Sequence, residues 1–209
     1  MERKLTFYTN PMSRARVVRW MLEETGLPYE EVVLDFGSTM KAPEYLAINP
    51  MGKVPAIRHG DTVVTENVAV CAYLAELVAD KRLAPPLGSE ERGSYYRWLF
   101  FLAGPVDELC TAKATGSFAK PMMASYGTEA DTLRTLELAV SGKTYLVGDH
   151  FTAADLLMAA FLNYYMMVGL IEKRPAFEAY AAHHVQRPAA RAANERDNAL
   201  AAQRTPAAA

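Results

Sequence analysis

Apolar and polar residues follow two different periods along the first part of the chain, and each period predicts a different element. Runs rich in β-branched and aromatic residues indicate strands, whereas apolar residues three and four positions apart indicate helices. The predicted strands are Leu5–Tyr8, Tyr29–Leu34, Val54–Arg58 and Thr62–Val64, and the predicted helices are Arg14–Thr25, Ala42–Ile48 and Asn67–Leu77. Gly26 is expected to end the first helix, and His59-Gly60-Asp61 to form a tight turn. The order β-α-β-α-β-β-α predicts a small α/β domain.

The remainder of the chain has a helical pattern. Residues 80–91 are charged and rich in proline and glycine, which predicts a linker. Further helices are predicted at Arg92–Thr115, Ala130–Val140, Ala153–Val168, Ala176–Val185 and Ala189–Asn198. The alanine-rich segment from Ala199 is expected to fray. The predicted organisation is an α/β domain of residues 1–79, a linker, and an all-α helical-bundle domain of residues 92–209.

A capping box is predicted at the start of the most apolar helix. Thr152 occupies the N-cap position and Asp155 the N3 position, so each side chain can pair with the other residue's backbone N–H. Water cannot replace these bonds in a buried helix. Loss of the Thr152 hydroxyl is therefore expected to cost about 1 kcal/mol or more.

Two short signals predict a binding site in the first domain. Pro55 lies inside an apolar run that otherwise indicates a strand, which a cis Val54-Pro55 bond at a turn would explain. Such a turn leaves the Val54 amide and carbonyl facing outward. Thr65-Glu66-Asn67 opens a helix, where unpaired N–H groups favour an anion. Together these signals predict a site that holds a short peptide by its main chain and a carboxylate.

Composition narrows the function further. The 209 residues are 51% hydrophobic and 22% charged with a net charge of −2, which argues against nucleic acid as a partner. No run predicts a membrane helix, and the first residues do not predict a secretory signal. Cys71 and Cys110 are expected to be buried thiols in a reducing cytoplasm. His183-His184 is expected to be solvated, and no spacing predicts a metal site.

In combination, these motifs resemble those of the cytosolic glutathione transferases. The resemblance rests on the Val54-Pro55 turn, on Glu66-Asn67 and on Thr152-x-x-Asp155. The segments Pro43-Glu44-Tyr45-Leu46 and Ile48-Asn49-Pro50 strengthen it, and it covers nearly the whole chain. The family resemblance implies a thioredoxin-like first domain with a four-stranded mixed sheet, glutathione as co-substrate without a metal, a cytoplasmic homodimer, and a role in detoxification.

The resemblance also implies roles for individual residues. Val54 would pair through its backbone with the cysteinyl part of glutathione, and Pro55 would set the direction of Val54. Asn67 would hold the γ-glutamyl carboxylate, and Glu66 would face the γ-glutamyl ammonium group. Lys53 would meet the glycyl carboxylate, and Lys41 is a second candidate for that role.

Activation of the glutathione thiol requires a nearby hydroxyl or a similar donor, because hydrogen bonding favours the thiolate. In the family this donor lies at the end of the first strand or the start of the first helix. Ser13 is the first candidate there, Tyr8 the second, and Asn10 a minor one. Ser13 has the alternative role of a helix N-cap, and Tyr8 that of a packing residue. No cysteine is present in this segment.

A pocket for the second substrate is expected between the domains, with Met12, Phe36, Trp98 and Phe101 as candidates. The same aromatic residues would also suit a core or a dimer interface. The predicted reaction is attack of glutathione thiolate on a hydrophobic electrophile. The alternatives are a glutathione-dependent isomerase, dehalogenase or peroxidase, and a non-catalytic scaffold protein with the same fold.

Overall fold

The computed structural model describes residues 3–204, which form a four-stranded sheet and a larger helical part. The strands are β1 (Leu5–Thr9), β2 (Glu30–Val33), β3 (Ala56–His59) and β4 (Thr62–Thr65). The helices are α1 (Ala15–Thr25), α2 (Pro43–Leu46), α3 (Asn67–Leu77), α4 (Glu91–Phe101), α5 (Asp107–Thr115), α6 (Glu129–Val140), α7 (Ala153–Met167), α8 (Pro175–Val185) and α9 (Pro188–Arg204). The sheet order is β2-β1-β3-β4, with β1 and β2 parallel and the other neighbours antiparallel. The predicted fold class is confirmed.

The sheet packs against α1 and α3 through an apolar core. Phe7 and Ile57 pair across β1 and β3, and both are fully buried. Met21 and Leu22 are fully buried on α1, because the apolar positions of this helix recur at helical spacing. Gly26 ends α1 as predicted, with a φ of 65° that glycine adopts readily, and its N–H donates to the Leu22 carbonyl at 3.0 Å.

The third strand begins two residues later than predicted. It runs from Ala56 to His59, and the Val54–Pro55 peptide bond before it is cis. Pro55 has no N–H to donate to a neighbouring strand, so ladder pairing begins only after it.

The long aromatic helix predicted for residues 92–115 is interrupted in its middle. Helix α4 ends at Phe101, a π-helical segment spans Leu102–Val106, and α5 continues from Asp107. Pro105 lies within this segment and cannot supply the N–H of a regular helical bond.

Helix α7 begins at a buried carboxylate. The two oxygens of Asp155 accept hydrogen bonds from the Thr152 N–H at 2.8 Å, the Thr152 hydroxyl at 2.9 Å and the Leu146 N–H at 2.7 Å. The hydroxyl of Tyr180 donates to the same carboxylate at 2.6 Å. The sequence predicts the Thr152–Asp155 pair but gives no sign of Leu146 or Tyr180. Asp155 therefore joins three segments of the helical part.

The prediction that His183-His184 is solvated is wrong for His184. His183 is exposed, but His184 is only 1% exposed and its Nε2 lies 2.9 Å from the Thr144 carbonyl. The ring of His184 contacts that of Tyr180, with centroids 4.6 Å apart. The inward face of α8 comprises Phe177, Tyr180, Ala181 and His184. These positions recur at helical spacing, which places His184 inside and His183 outside.

The described chain forms two compact units. One contains residues up to Val78 together with α9, and the other contains residues 79–187. The sequence placed α9 with the other helices, but α9 packs on α1, where Asp197 pairs with Arg19. The prediction that the chain frays from Ala199 is wrong for residues 199–204. Helix α9 continues to Arg204, and Arg204 pairs with Asp35. Residues 205–209 of that predicted tail lie outside the described residues.

Further predictions concern membranes, metals and cysteines. Within residues 3–204, no helix combines the length and apolarity needed to cross a membrane. The same residues contain no group of three His, Cys, Asp or Glu side chains arranged to hold a metal ion. Cys71 and Cys110 are free and buried, as predicted.

Candidate functional site

The strand register brings three segments to one end of the sheet. Tyr8, near the end of β1, pairs with Ala56 at the start of β3, and Ala56 pairs with Thr65 at the end of β4. The loop after β1, the Val54-Pro55 turn and the Glu66-Asn67 pair therefore meet at this edge. These are the three segments that the sequence singled out.

The Val54-Pro55 turn offers an unpaired stretch of backbone. Within the described residues, neither the N–H nor the carbonyl of Val54 makes a hydrogen bond. The preceding carbonyl, of Lys53, accepts from the Tyr45 hydroxyl at 2.6 Å and from Asn49 Nδ2 at 2.8 Å. Burial raises the pKa of Tyr45 to about 12, so this hydroxyl remains a donor at neutral pH. The turn is fixed by its neighbours, and the Val54 groups remain for a ligand.

Glu66 occupies a strained backbone conformation. Its φ is 69° and its ψ 123°, a region that residues other than glycine rarely adopt. Its side chain is exposed, and its carboxylate has no ion-pair partner among residues 3–204. Strain of this kind costs about 1–3 kcal/mol and is typical of functional sites.

Asn67 carries a buried donor that has no partner. Its Nδ2 is shielded from solvent and makes no hydrogen bond, while its Oδ1 lies 3.9 Å from the Cys71 sulfur. Asn67 is also the first residue of α3, whose initial N–H groups have no partners within the helix. A buried donor without an acceptor lowers the free energy of unfolding by about 1–3 kcal/mol, and a ligand that accepts this hydrogen bond would remove the penalty. A carboxylate suits this position because the helix start is electropositive.

The two candidate lysines differ in their surroundings. Lys41 Nζ donates to the Met51 carbonyl at 2.8 Å, and its side chain crosses over Gly52. A Cβ at Gly52 would lie 2.5 Å from the Met40 carbonyl, so this close approach requires glycine. The Lys53 side chain is exposed, and its ammonium group has no partner in the described part of the chain. Lys53 is therefore the more available cation.

The loop between β1 and α1 is held by its own hydrogen bonds. Asn10 Nδ2 donates to the Leu34 carbonyl at 2.7 Å, and Asn10 Oδ1 accepts from the Met12 N–H at 2.9 Å. The Ser13 hydroxyl donates to the Asn10 carbonyl at 2.8 Å and accepts from the Ala15 N–H at 3.1 Å. The Asn10 side chain thus has a structural role, whereas the hydroxyl of half-buried Ser13 donates its proton to the Asn10 carbonyl and can rotate toward another acceptor.

Tyr8, the second donor candidate, is nearly enclosed. Its side chain is 7% exposed, and its ring lies 5.5 Å from that of Tyr45 between centroids. It packs in a cluster with Leu34, Met40 and Ala56. Its hydroxyl makes no hydrogen bond to residues 3–204.

The residues expected to line a second-substrate pocket fall into two groups. Met12 and Phe36, in the first unit, are 74% and 61% exposed. Trp98, in the second unit, is buried, and its ring meets that of half-buried Phe101 edge-on at 5.8 Å. Exposed apolar side chains next to the candidate site are therefore present on the first unit.

Sequence reasoning missed one residue beside the loop. Arg16 Nε donates to the Pro11 carbonyl at 2.6 Å, and Arg16 Nη2 donates to Asn198 Oδ1 at 2.7 Å. Asn198 lies 182 positions further along the chain, so no local spacing could indicate this contact. The sequence alone shows only that Arg16 lies at the start of a helix, next to a candidate loop.

Comparison with known proteins gives consistent results for both halves. Residues 3–76 match the family described as glutathione S-transferase, N-terminal domain, and residues 122–188 the corresponding C-terminal domain. Glutathione S-transferase F10 of Arabidopsis thaliana is 31% identical over 183 residues, which cover 81% of this chain and 83% of that protein.

Solved structures agree with this similarity. The glutathione transferase URE2P6 of Phanerochaete chrysosporium, in complex with oxidised glutathione, is 28% identical with a TM-score of 0.79 and covers 95% of this chain and 98% of its own. A sphingomonad glutathione S-transferase complexed with glutathione is 26% identical with a TM-score of 0.74, over 92% and 98% of the two chains.

Proposed function

Because the chain belongs to the glutathione S-transferase family, we propose that it binds glutathione and transfers it, as the thiolate, to a hydrophobic electrophile. The observation that carries this proposal is the meeting of two unpaired groups at one sheet edge. These are the free backbone of Val54 and the buried, unpartnered Nδ2 of Asn67. A peptide with a terminal carboxylate satisfies both.

The proposed binding mode assigns one part of glutathione to each group. The cysteinyl amide and carbonyl pair with the Val54 carbonyl and N–H, as in an antiparallel ladder. The γ-glutamyl carboxylate accepts from Asn67 Nδ2 and from the N–H groups that open α3. The ammonium group of the same residue faces the Glu66 carboxylate. Lys53 meets the glycyl carboxylate, and Lys41 lies next to it.

We assign thiol activation to Ser13. Rotation of its hydroxyl proton from the Asn10 carbonyl to the glutathione sulfur would favour the thiolate, because the charged form gains the hydrogen bond. The thiolate then attacks an electrophilic carbon. A carbon–sulfur bond forms, the leaving group departs with the bonding electrons, and the thiol proton goes to solvent. Tyr8 is the second candidate, with a hydroxyl that has no partner in the described chain.

The electrophile is proposed to be apolar. Met12 and Phe36 present exposed apolar surface on the first unit. Binding of an apolar substrate would be favoured because it removes apolar surface of the substrate and of these side chains from water.

The proposal includes a cytoplasmic, homodimeric protein with a detoxification role. Two free, buried cysteines suit a reducing compartment. The dimer rests on the family resemblance, and light scattering of the full chain tests it.

An ultraviolet titration of bound glutathione tests the function, because the thiolate absorbs and the thiol does not. We expect the wild type to hold thiolate at a pH where free glutathione is protonated. Ser13→Ala should lose this signal, and Tyr8→Phe should keep it. An unchanged signal in Ser13→Ala would refute the role of Ser13, and loss in Tyr8→Phe alone would transfer it to Tyr8.

Glutathione binding separates an enzyme from a scaffold protein. An enzyme should be retained on immobilised glutathione, and glutathione at roughly 100 times its Kd should stabilise it by about 2.7 kcal/mol. Absence of both effects would favour the scaffold.

A further inference from the structure

Arg16 connects the candidate thiol-activating loop to the last helix. One guanidinium nitrogen, Nε, donates to the Pro11 carbonyl at 2.6 Å. Another, Nη2, donates to the Asn198 side-chain oxygen on α9 at 2.7 Å. The planar guanidinium can serve both acceptors at once because its donors point in fixed, divergent directions.

The other side-chain hydrogen bonds of this loop leave the carbonyl of Pro11 to Arg16. Asn10 ties the start of the loop to the Leu34 carbonyl, and Ser13 closes back on the Asn10 carbonyl. A third bond, from the Met12 N–H to Asn10 Oδ1 at 2.9 Å, holds the N–H side of the Pro11–Met12 peptide. The bond from Arg16 holds the carbonyl side of the same peptide, two residues before Ser13, and Arg16 links that carbonyl to α9.

Asn198 is a fixed point because α9 is anchored next to it. Asp197, its neighbour, is buried and accepts from Arg19 Nε at 2.8 Å, while Arg19 also pairs with Glu31 on β2. Arg204, farther along α9, pairs with Asp35. Helix α9 is thus held at two places, and the Arg16–Asn198 bond lies between them.

We propose that Arg16 and Asn198 are positioning residues that hold the Pro11–Ser13 segment, so that the C-terminal helix sets the direction of the Ser13 hydroxyl. This inference rests on the proposed function. Neither residue is proposed to touch glutathione. Their effect on the thiol is exerted through the Pro11 peptide.

Asn198→Ala is the main test, because Asn198 is exposed on α9 and its loss should not unfold the protein. Loss of one bond to a charged donor is expected to reduce the thiolate fraction of bound glutathione at acidic pH about three- to tenfold. The value of kcat at low pH should fall by the same factor. KM for glutathione should stay within about twofold, because the groups that bind its main chain are untouched.

Asn194→Ala is the matched control. It makes the same change one turn earlier on α9, at an exposed residue whose side chain has no partner among residues 3–204. We expect it to behave as the wild type. Asn198→Asp keeps an acceptor for Arg16 and should restore the thiolate signal. Arg16→Lys keeps the charge but loses the two divergent guanidinium donors, so its thiolate signal should fall as in Asn198→Ala.

The outcomes separate the two proposals. A wild type that holds thiolate, together with an Asn198→Ala variant that holds as much, overturns the positioning role and leaves the function intact. Equal losses in Asn198→Ala and Asn194→Ala would also overturn it, because the effect would then belong to the helix surface. A wild type that holds no thiolate overturns both.

Discussion

Arg19 Nε donates to Asp197 Oδ1 across 2.8 Å, and both side chains are withdrawn from solvent. The pair joins the first helix to the last one, 178 positions away. Glu31 on β2 approaches the same guanidinium. Since an isolated buried charge is far more costly than a buried pair, each partner makes the other tolerable.

Removal of one partner should therefore destabilise the protein strongly. We expect Arg19→Met to lower the free energy of unfolding by about 3–5 kcal/mol, because Asp197 is left as an unpaired buried charge. Urea unfolding measures this. The control is Lys4→Met, which breaks an exposed pair with Glu30 and should cost about 0–1 kcal/mol. Equal costs for the two variants would show that burial of the Arg19 pair has no energetic consequence.

The buried capping box of α7 should contribute more to the free energy of unfolding than a solvent-exposed helix cap. Thr152→Ala removes a hydroxyl that donates to buried Asp155, and we expect it to cost about 1–2 kcal/mol. Helix α6 also begins with Thr-x-x-Asp but in solvent, where the Thr128 hydroxyl accepts from the Asp131 N–H and donates to the Asp131 carboxylate. Thr128→Ala should cost about 0.5–1 kcal/mol. The prediction fails if thermal unfolding ranks the two variants in the opposite order.

The buried histidine should make stability depend on pH. Burial lowers the pKa of His184 and outweighs the attraction of Asp155, so the unfolded chain binds a proton more readily. Stability is therefore expected to fall as pH drops below the unfolded value of about 6.5, by at most about 1.4 kcal/mol per pH unit. His184→Gln should remove this part of the slope in urea titrations at several pH values. Exposed His183→Gln should keep it, and an identical slope in both variants would contradict the assignment.

The strained backbone of Glu66 predicts a conflict between stability and binding. Glu66→Gly removes the carboxylate and relieves the positive φ. We expect glutathione affinity to fall about tenfold or more, while the free energy of unfolding stays equal or rises by up to about 1 kcal/mol. Glu66→Gln, which keeps the strain, should lose affinity without gaining stability. A stable Glu66→Gly variant that binds as tightly as the wild type would exclude Glu66 from the site.

Local signals in the sequence were sufficient for most of the fold. Gly26 ends α1 and Asn67–Leu77 forms α3 because capping and periodicity act over a few residues. The Val54-Pro55 turn was visible for the same reason, since proline restricts its own backbone.

Contacts between distant residues were not predictable in this way. The Arg16–Asn198 and Arg19–Asp197 bonds depend on how α9 packs, and nothing near residues 197 and 198 indicates it. The inward position of His184 depends likewise on tertiary packing, and so do the bonds from Leu146 and Tyr180 to Asp155.

The proposed glutathione site depends most directly on Asn67 Nδ2 as the donor to a glutathione carboxylate. Calorimetric titration of the full chain with glutathione tests this, with Asn67→Asp as the variant and exposed Asn194→Asp as the control of equal charge. We expect wild type and Asn194→Asp to bind alike. Asn67→Asp should bind at least about tenfold more weakly, because a carboxylate replaces the donor. Equal affinity in Asn67→Asp, or no heat of binding in the wild type, would contradict the proposed glutathione site.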